Sequence, residues 1–139
     1  MKINFINKIK TAVSKEVKDN IRNAIRKIAA FENKKISSVN LIFCDNEIIR
    51  EYNREFLKHD YETDIITFHD ENSNGETEGE LLMSLDTIAG NAVFYKTGFE
   101  TELKRVAIHG VLHLCGYKDR TKKQKELMRK KENLYLKIK

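Results

Sequence analysis

The sequence predicts an α/β (α+β) fold in which a small mixed sheet of three to four strands packs against about five helices. Segments with apolar residues every three or four positions alternate with short segments rich in β-branched residues. One connection between strands is long enough for a parallel crossover. Apolar residues also cover most of one helix near the C-terminus, which marks it as the central, buried helix that carries two histidines. The length predicts one domain, residues 1–139.

The N-terminal half contains strand, helix, strand and helix in that order. Alternating residues predict a strand over 2–6, and β-branched content predicts another over 37–44. Between them, a long amphipathic helix is predicted over 7–31. The apolar positions of that helix are Ile9, Val13, Val17, Ile21, Ile25 and Ile28. Asp45 is expected to cap the second helix. Its buried side is expected to carry Ile48, Ile49, Tyr52 and Phe56.

Two short strands and a polar connection follow the second helix. Residues 64–68 and 80–85 are predicted strands. The intervening 70–79 segment is acidic and rich in turn residues, so it is predicted to be a mobile loop.

The C-terminal part is predicted to be helical. Asp86 is expected to cap a helix through about Tyr95 that ends at Gly98. The central helix is predicted over about 100–114, and Gly116 ends it. A last amphipathic helix is predicted over about 121–137. Its apolar face is expected to carry Leu127, Leu134 and Ile138.

Composition restricts the class of protein. Hydrophobic residues make up 40% and charged residues 34% of the chain, which is typical of a folded rather than a disordered protein. Cys44 and Cys115 lie in apolar runs, and two such cysteines do not make a disulfide framework. The first ten residues lack the apolar region of a signal peptide, and the longest apolar runs are far below the roughly 20 residues that span a bilayer. We therefore expect a cytoplasmic protein with reduced thiols and no membrane partner.

The net charge of +5 is unevenly distributed. Residues 1–35 and residues 118–139 each carry ten Lys and Arg against three Asp and Glu. Residues 36–117 carry six against fifteen. The basic ends have the charge that a polyanion such as RNA requires. They are equally the pattern of two amphipathic helices with solvated faces, and charge alone does not separate these interpretations.

The most informative stretch contains His109, His113, Gly116 and Asp119. Histidines at positions i and i+4 lie on one face of a helix, one turn apart, so both imidazoles can reach one zinc ion. Gly116 permits the chain reversal that returns Asp119 towards the same point. Three such ligands leave a fourth position open, which is the mark of a catalytic zinc site. The other interpretation is a chance pair of histidines on a packed helix.

A metal site of this kind is compatible with two reactions. The spacing H-x-x-x-H-x-x-G-x-x-D is close to the metzincin protease pattern, in which a Glu after the first His is the general base. Here that position is Gly110, which has no side chain to accept a proton. The second reaction is hydrolysis of RNA, which the basic ends favour and which Gly110 does not exclude. His59 and His69 lack comparable spacing and are expected on the surface.

The sequence resembles the YbeY family of bacterial endoribonucleases over about residues 40–120. HGVLHLCGYKD matches the family's H-G-x-L-H-L-x-G-Y-D-H from His109 onwards. YNREFLKHDYETDIITF is similar to a second family block. GELLMS, at 79–84, is similar to a third segment. In the second block the residues in register are Asn53, Asp60, Thr63, Asp64 and Phe68.

The resemblance implies a single-strand-specific endoribonuclease that acts in 16S rRNA 3′-end maturation and ribosome quality control. It implies rRNA and the small ribosomal subunit as partners, with no DNA partner, and one Zn²⁺ per chain. Carried over by position, the metal ligands are His109 and His113. The third ligand position holds Asp119 where the family has histidine.

This chain also departs from the family pattern at the family's arginine, which falls on Leu57. Arg54 and Lys58 are then the candidate catalytic residues as phosphate contacts, with Lys118 as a further cation. Two other functions stay open, and Leu57 in place of the arginine favours only the second of them. One is a metal-dependent hydrolase of another substrate, such as a peptide. The other is a non-catalytic RNA-binding ribosome assembly factor whose metal site is structural.

Overall fold

A computed structural model describes residues 1–11 and 13–138. Within these residues it contains four strands and five helices, which confirms the predicted fold class. The strands are β1 (Lys2–Asn7), β2 (Ile36–Cys44), β3 (Ile65–Glu71) and β4 (Thr77–Ser84). The helices are α1 (Lys15–Phe31), α2 (Asn46–Leu57), α3 (Leu85–Phe94), α4 (Phe99–Leu114) and α5 (Lys122–Leu136).

The strands form one mixed sheet in the order β1-β2-β4-β3. The β1–β2 and β2–β4 pairs are parallel, with Leu41 opposite Phe5 on one side and Leu81 on the other. The β3–β4 pair is antiparallel, and Thr67 lies opposite Leu81. The antiparallel edge places the start of β3 beside the end of β4, where the Ser84 N–H donates to the carbonyl of Asp64 at 2.9 Å.

Side chains alternate between the two faces of the sheet, as the strand period of two requires. Leu41 and Leu81 point into the larger core, which α1, α4 and α5 complete. Cys44 and Leu82 point into a smaller cluster with Ile49 of α2. Ten of the 16 residues of α4 are buried, so the prediction that this helix is central is confirmed.

Helix α4 lies very close to the sheet at Gly110. A Cβ at this position would lie 2.8 Å from Cδ1 of Ile65 and 2.9 Å from Cδ2 of Leu81. Atoms at that separation overlap, so glycine permits a closer approach of the helix than any other residue. Position 110 therefore packs against the sheet.

The predicted start of the long helix at residue 7 is wrong. The helix begins at Lys15, and the Ser14 side chain caps it by accepting from the N–H three residues later. The apolar spacing continues upstream of Ser14, but this chain segment first prolongs the sheet edge, because the Lys8 N–H donates to the Phe43 carbonyl at 2.9 Å. A serine that caps the N-terminus of a helix fixes where the helix begins, even when the apolar spacing continues upstream of the serine.

The predicted mobile loop over 70–79 is wrong for half of its length. β3 continues to Glu71 and β4 starts at Thr77, so only a tight turn separates them. The Asn72 side chain accepts two backbone N–H bonds within the turn, and Gly75 takes a positive φ of 73°. Polar residues on the exposed edge of a sheet resemble a loop in sequence, because no apolar alternation marks them.

Two predicted helix boundaries also need correction, whereas Asp45 caps α2 as predicted. Ser84, not Asp86, caps α3. The Asp86 carboxylate instead accepts from the Asn46 N–H at 3.2 Å, which joins α3 to α2. Gly98 is the residue before α4, and α3 has already ended at Phe94.

Three residues predicted to face the core are exposed. Phe56 is 61% exposed, Leu127 45% and Leu134 54%. Ile138 packs against the core as expected. The buried residues of α5 are instead Met128, Glu132 and Tyr135. The spacing of apolar residues in α5 is compatible with two buried faces that are offset by one residue. Leu127 and Leu134 lie on the face that was predicted to be buried, whereas Met128 and Tyr135 lie on the face that is buried.

Cys44 and Cys115 are both free thiols, as predicted. Among the described residues, none of the helices combines the length and the apolarity needed to cross a membrane.

Candidate metal centre

The C-terminal end of α4 and the turn after it bring three predicted ligands together. His109 and His113 lie one turn apart, and their Nε2 atoms are 3.0 Å from each other. Gly116, at a φ of +101°, reverses the chain. Oδ2 of Asp119 then lies 3.3 Å from Nε2 of His109 and 3.4 Å from Nε2 of His113.

These separations fit a zinc ion. Zinc bonds of about 2.0–2.1 Å in tetrahedral geometry place neighbouring ligand atoms about 3.3–3.4 Å apart. The three atoms form a triangle of nearly that size, and they are the His109, His113 and Asp119 group whose ligand atoms all lie within 4.8 Å of one another. The triangle leaves the fourth position of a tetrahedron free.

The other nitrogen of each imidazole is held by an acceptor. Nδ1 of His109 lies 2.7 Å from Oε2 of Glu132, and Nδ1 of His113 lies 2.9 Å from the Tyr117 carbonyl oxygen. A carboxylate and a carbonyl only accept, so each Nδ1 carries the proton. The Nε2 lone pairs of neutral imidazoles then converge with the Asp119 carboxylate, and three acceptors at this separation repel each other unless a cation lies between them.

Negative charge surrounds His109. Burial lowers the pKa of His109, but the hydrogen bond to Glu132 and the charges of Glu132, Asp119 and Asp64 outweigh it, so the pKa lies above its usual range. Glu132 is only 6% exposed, and Arg105 approaches it at 3.5 Å. The site therefore favours a cation at the position where the triad converges.

A second network fixes the turn that carries the Tyr117 carbonyl. The Tyr117 hydroxyl donates to Oε1 of Glu32 at 2.6 Å. Lys131, 3.2 Å away, and the Tyr135 hydroxyl both donate to Oε2 of Glu32. Burial raises the pKa of Glu32, but these three donors more than offset it and hold the pKa below 4.5. Glu32 thereby ties the end of α1 to the turn behind His113.

This network predicts a pH dependence of stability. A carboxyl whose pKa is lower in the folded state stabilises the protein above its unfolded pKa and loses that effect as pH falls. In zinc-free protein, Glu32→Gln is expected to have a smaller free energy of unfolding than wild type at about pH 7. The difference between the two proteins should narrow as the pH falls below 4.5. Urea unfolding of both proteins at neutral pH and at acidic pH measures this difference. A difference that stays constant with pH would contradict this assignment.

Two grooves meet at the triad and share Asp64, His109 and Asp119. The first, of about 890 Å³, runs along β3 and past Lys118. The second, of about 550 Å³, runs between α3, α4 and α5. Asp64 lies where they join, and burial raises the pKa of its carboxyl although the charge of His109 opposes the shift. A carboxylate in this position can accept or return a proton beside a reacting group.

The predicted phosphate contacts lie away from this junction. Arg54 is on α2, where its guanidinium lies 3.7 Å from Asp60, and Lys58 ends that helix with a φ of +57°. Neither residue lines either groove. Lys118 does line the first groove, and Leu57 is 46% exposed at the end of α2. A phosphate role for Arg54 and Lys58 stays a prediction.

His59 and His69 are both exposed, as predicted, although His69 lines the first groove. Sequence reasoning missed Glu132 and Asp64 as site residues. Glu132 had a detectable signal, because it is an acid three to four residues from Met128 and Tyr135, on the face that α5 buries. Asp64 had none from the residues alone.

Comparison with known proteins identifies the family. The model of the family described as Endoribonuclease YbeY matches residues 3–138. An endoribonuclease YbeY of Christiangramia forsetii is 44% identical over 131 residues, which is 94% of this chain and 89% of the relative. One from Cytophaga hutchinsonii is 45% identical over 118 residues, covering 85% and 82%.

A solved structure has the same fold. The solution structure of TM1509 from Thermotoga maritima aligns with a TM-score of 0.68 at 27% identity, over 98% of this chain and 87% of that one. The family match spans nearly every described residue, including both histidines and Asp119. The chain therefore belongs to the endoribonuclease YbeY family.

Proposed function

We propose that this protein is a zinc-dependent endoribonuclease that hydrolyses single-stranded RNA. The observation that carries the proposal is the convergence of three acceptor atoms, from His109, His113 and Asp119, at the junction of two open grooves. Family membership supports RNA as the substrate.

Each residue has a distinct part in the proposed chemistry. His109, His113 and Asp119 would hold a zinc ion. Once bound, the ion would supply Lewis acidity, which lowers the pKa of water from about 15.7 towards 7 and polarises a phosphoryl oxygen. Glu132 keeps the proton on Nδ1 of His109, so that Nε2 stays available as a ligand. Asp64, at the groove junction, is the candidate proton acceptor.

Peptide hydrolysis fits the site less well. A metzincin needs a glutamate at position 110, and here that position packs against Ile65 and Leu81 with no room for a Cβ. A side chain added at position 110 would point at the Ile65 and Leu81 side chains of the sheet and would displace them.

The proposed substrate within the cell is the 3′ end of 16S rRNA on the small ribosomal subunit, in the cytoplasm. Two facts support it: the family's name as an endoribonuclease and the two basic ends of the chain. Purified protein loaded with one zinc ion per chain is the material for the test. Its substrates are unstructured RNA, a 16S precursor and casein.

Cleavage of both RNAs, lost with a chelator and restored by zinc, is the expected result. Casein is expected to stay intact. Cleavage of casein without cleavage of RNA would contradict the proposed nuclease and would support a peptidase instead.

A second candidate function is a non-catalytic RNA-binding ribosome assembly factor. Leu57 in place of the family's arginine favours it, and so does the finding that Arg54 lines neither groove. Co-sedimentation with ribosomes, together with no cleavage at high protein concentration, would support this function over the nuclease.

The identity of the third ligand predicts a pH effect. Two histidines and a carboxylate leave a bound zinc site at +1, whereas three histidines leave it at +2, and less positive charge lowers the pKa of a coordinated water less. The pH optimum of RNA cleavage is therefore expected to lie higher for wild type than for Asp119→His. Cleavage rates across a pH series measure both optima, and an unchanged or higher optimum in the variant would contradict the argument.

A further inference from the structure

We infer that single-stranded RNA approaches the triad through the groove between α3, α4 and α5, with Lys125 and Arg129 on its phosphates and Tyr95 stacked on a base. The inference rests on the proposed function and adds to it the path by which single-stranded RNA reaches the triad. Tyr95, Lys125 and Arg129 all line this groove, whose inner end is formed by His109 and Asp119.

Charge distinguishes the two grooves. The first groove carries Lys34 and Lys118, but its β3 wall presents the exposed carboxylates of Asp70 and Glu71. A phosphate chain in that groove would face like charge along one side.

The second groove has the opposite balance at its rim. Lys125 and Arg129 are both exposed on α5 and one helical turn apart, so their charges face the same side of the helix. Two acids of this groove, Glu102 and Glu132, are 5% and 6% exposed, and Glu132 is engaged by His109 and Arg105. The other two, Asp64 and Asp119, lie at the junction of the grooves, beside the triad. A backbone phosphate at the rim therefore meets cations before carboxylates.

An aromatic ring lines the same groove as these cations. Tyr95 directly follows the end of α3 and is 61% exposed. The Tyr95 and Phe94 rings stand at right angles with their centroids 5.0 Å apart, and most of the Tyr95 side chain is open to solvent. Bases stack on aromatic rings without sequence preference, and cations track the backbone beside them. The combination fits a single strand better than a duplex, whose bases are already stacked.

The test measures RNA binding separately from cleavage. Zinc-loaded protein is titrated into a fluorescent single-stranded oligonucleotide, anisotropy is recorded over a salt series, and a denaturing gel after each titration confirms that the oligonucleotide is still intact. Lys125→Ala/Arg129→Ala is expected to weaken binding and to reduce the salt slope by about 1.4, because each single-strand phosphate contact contributes about 0.7. Tyr95→Ala is expected to weaken binding about 5-fold or more, with Tyr95→Phe close to wild type.

Matched controls come from the same chain. Lys123→Ala/Lys130→Ala removes the same charge from exposed positions of α5 outside the groove. Tyr61→Ala removes a tyrosine that is 54% exposed and lines neither groove. Both controls are expected to bind RNA like wild type, and zinc content should be equal in every variant.

Three outcomes would overturn the inference. Equal binding by the groove variants and their controls would do so, as would a larger loss in Lys34→Ala/Lys118→Ala, which alters the first groove. In both cases, RNA cleavage by the wild-type protein would leave the proposed function intact. Wild-type protein that neither binds nor cleaves RNA would overturn the proposed function as well.

Discussion

Replacing His113 with alanine is expected to abolish zinc binding and to reduce RNA cleavage by roughly 10³-fold or more. The variant removes one of the three converging atoms, and two remaining ligands do not hold the ion in a defined geometry. The cost to folding should be small, because the side chain of His113 is 27% exposed and only the Tyr117 carbonyl loses its donor. Metal content per chain and the cleavage rate of a 16S precursor measure the two effects.

His69→Ala is the matched control for this variant. His69 lines the same groove but lies on β3, outside the triad, and is exposed. It should retain zinc and near-wild-type cleavage. Zinc content and cleavage that survive in His113→Ala would show that the triad is not the catalytic centre.

Replacing Glu132 with alanine is expected to weaken zinc binding by about 10- to 100-fold, because the carboxylate fixes the tautomer and orientation of His109. Cleavage at saturating zinc should fall less than zinc affinity does. Glu132→Gln keeps an acceptor for the Nδ1 proton and is expected to lie between alanine and wild type. Competition with a zinc-binding dye gives the affinities.

Glu126→Ala controls for charge, since Glu126 is an exposed acid on the same helix. A comparable loss of zinc affinity in Glu126→Ala would mean that long-range charge, and not the hydrogen bond to His109, sets the effect. Unchanged affinity in Glu132→Ala would remove Glu132 from the site altogether.

The sequence was sufficient to predict that the three proposed ligands come together, because their placement is local. Helical periodicity puts His109 and His113 on one face, and Gly116 supplies the reversal that returns Asp119. All three belong to a segment of 11 residues. Local geometry therefore needed no knowledge of the rest of the fold.

The supporting residues depend on long-range packing. Glu132 reaches His109 only because α5 packs on α4, and the face that α5 buries was misassigned. Asp64 reaches the junction only because β3 pairs antiparallel with β4. Glu32 arrives from α1, 85 residues before Tyr117. Patterns within single elements do not encode these docking choices.

The predicted boundaries of α1 and of the β3–β4 hairpin were wrong, because a side-chain cap and a polar sheet edge determine them rather than apolar periodicity. Ser14 caps the start of α1 within a run whose apolar spacing continues upstream. The acidic hairpin after Phe68 is held by its backbone ladder and by the Asn72 side chain in the turn. In both places hydrogen bonds, rather than apolar burial, decide the structure.

Zinc-edge X-ray absorption of the zinc-loaded protein tests the central claim most directly. The account predicts a first shell of nitrogen and oxygen only, at about 2.0–2.1 Å, with the outer-shell scattering of two imidazoles. Sulfur scattering at about 2.3 Å, which would bring in a cysteine, or a shell without imidazole, would contradict it.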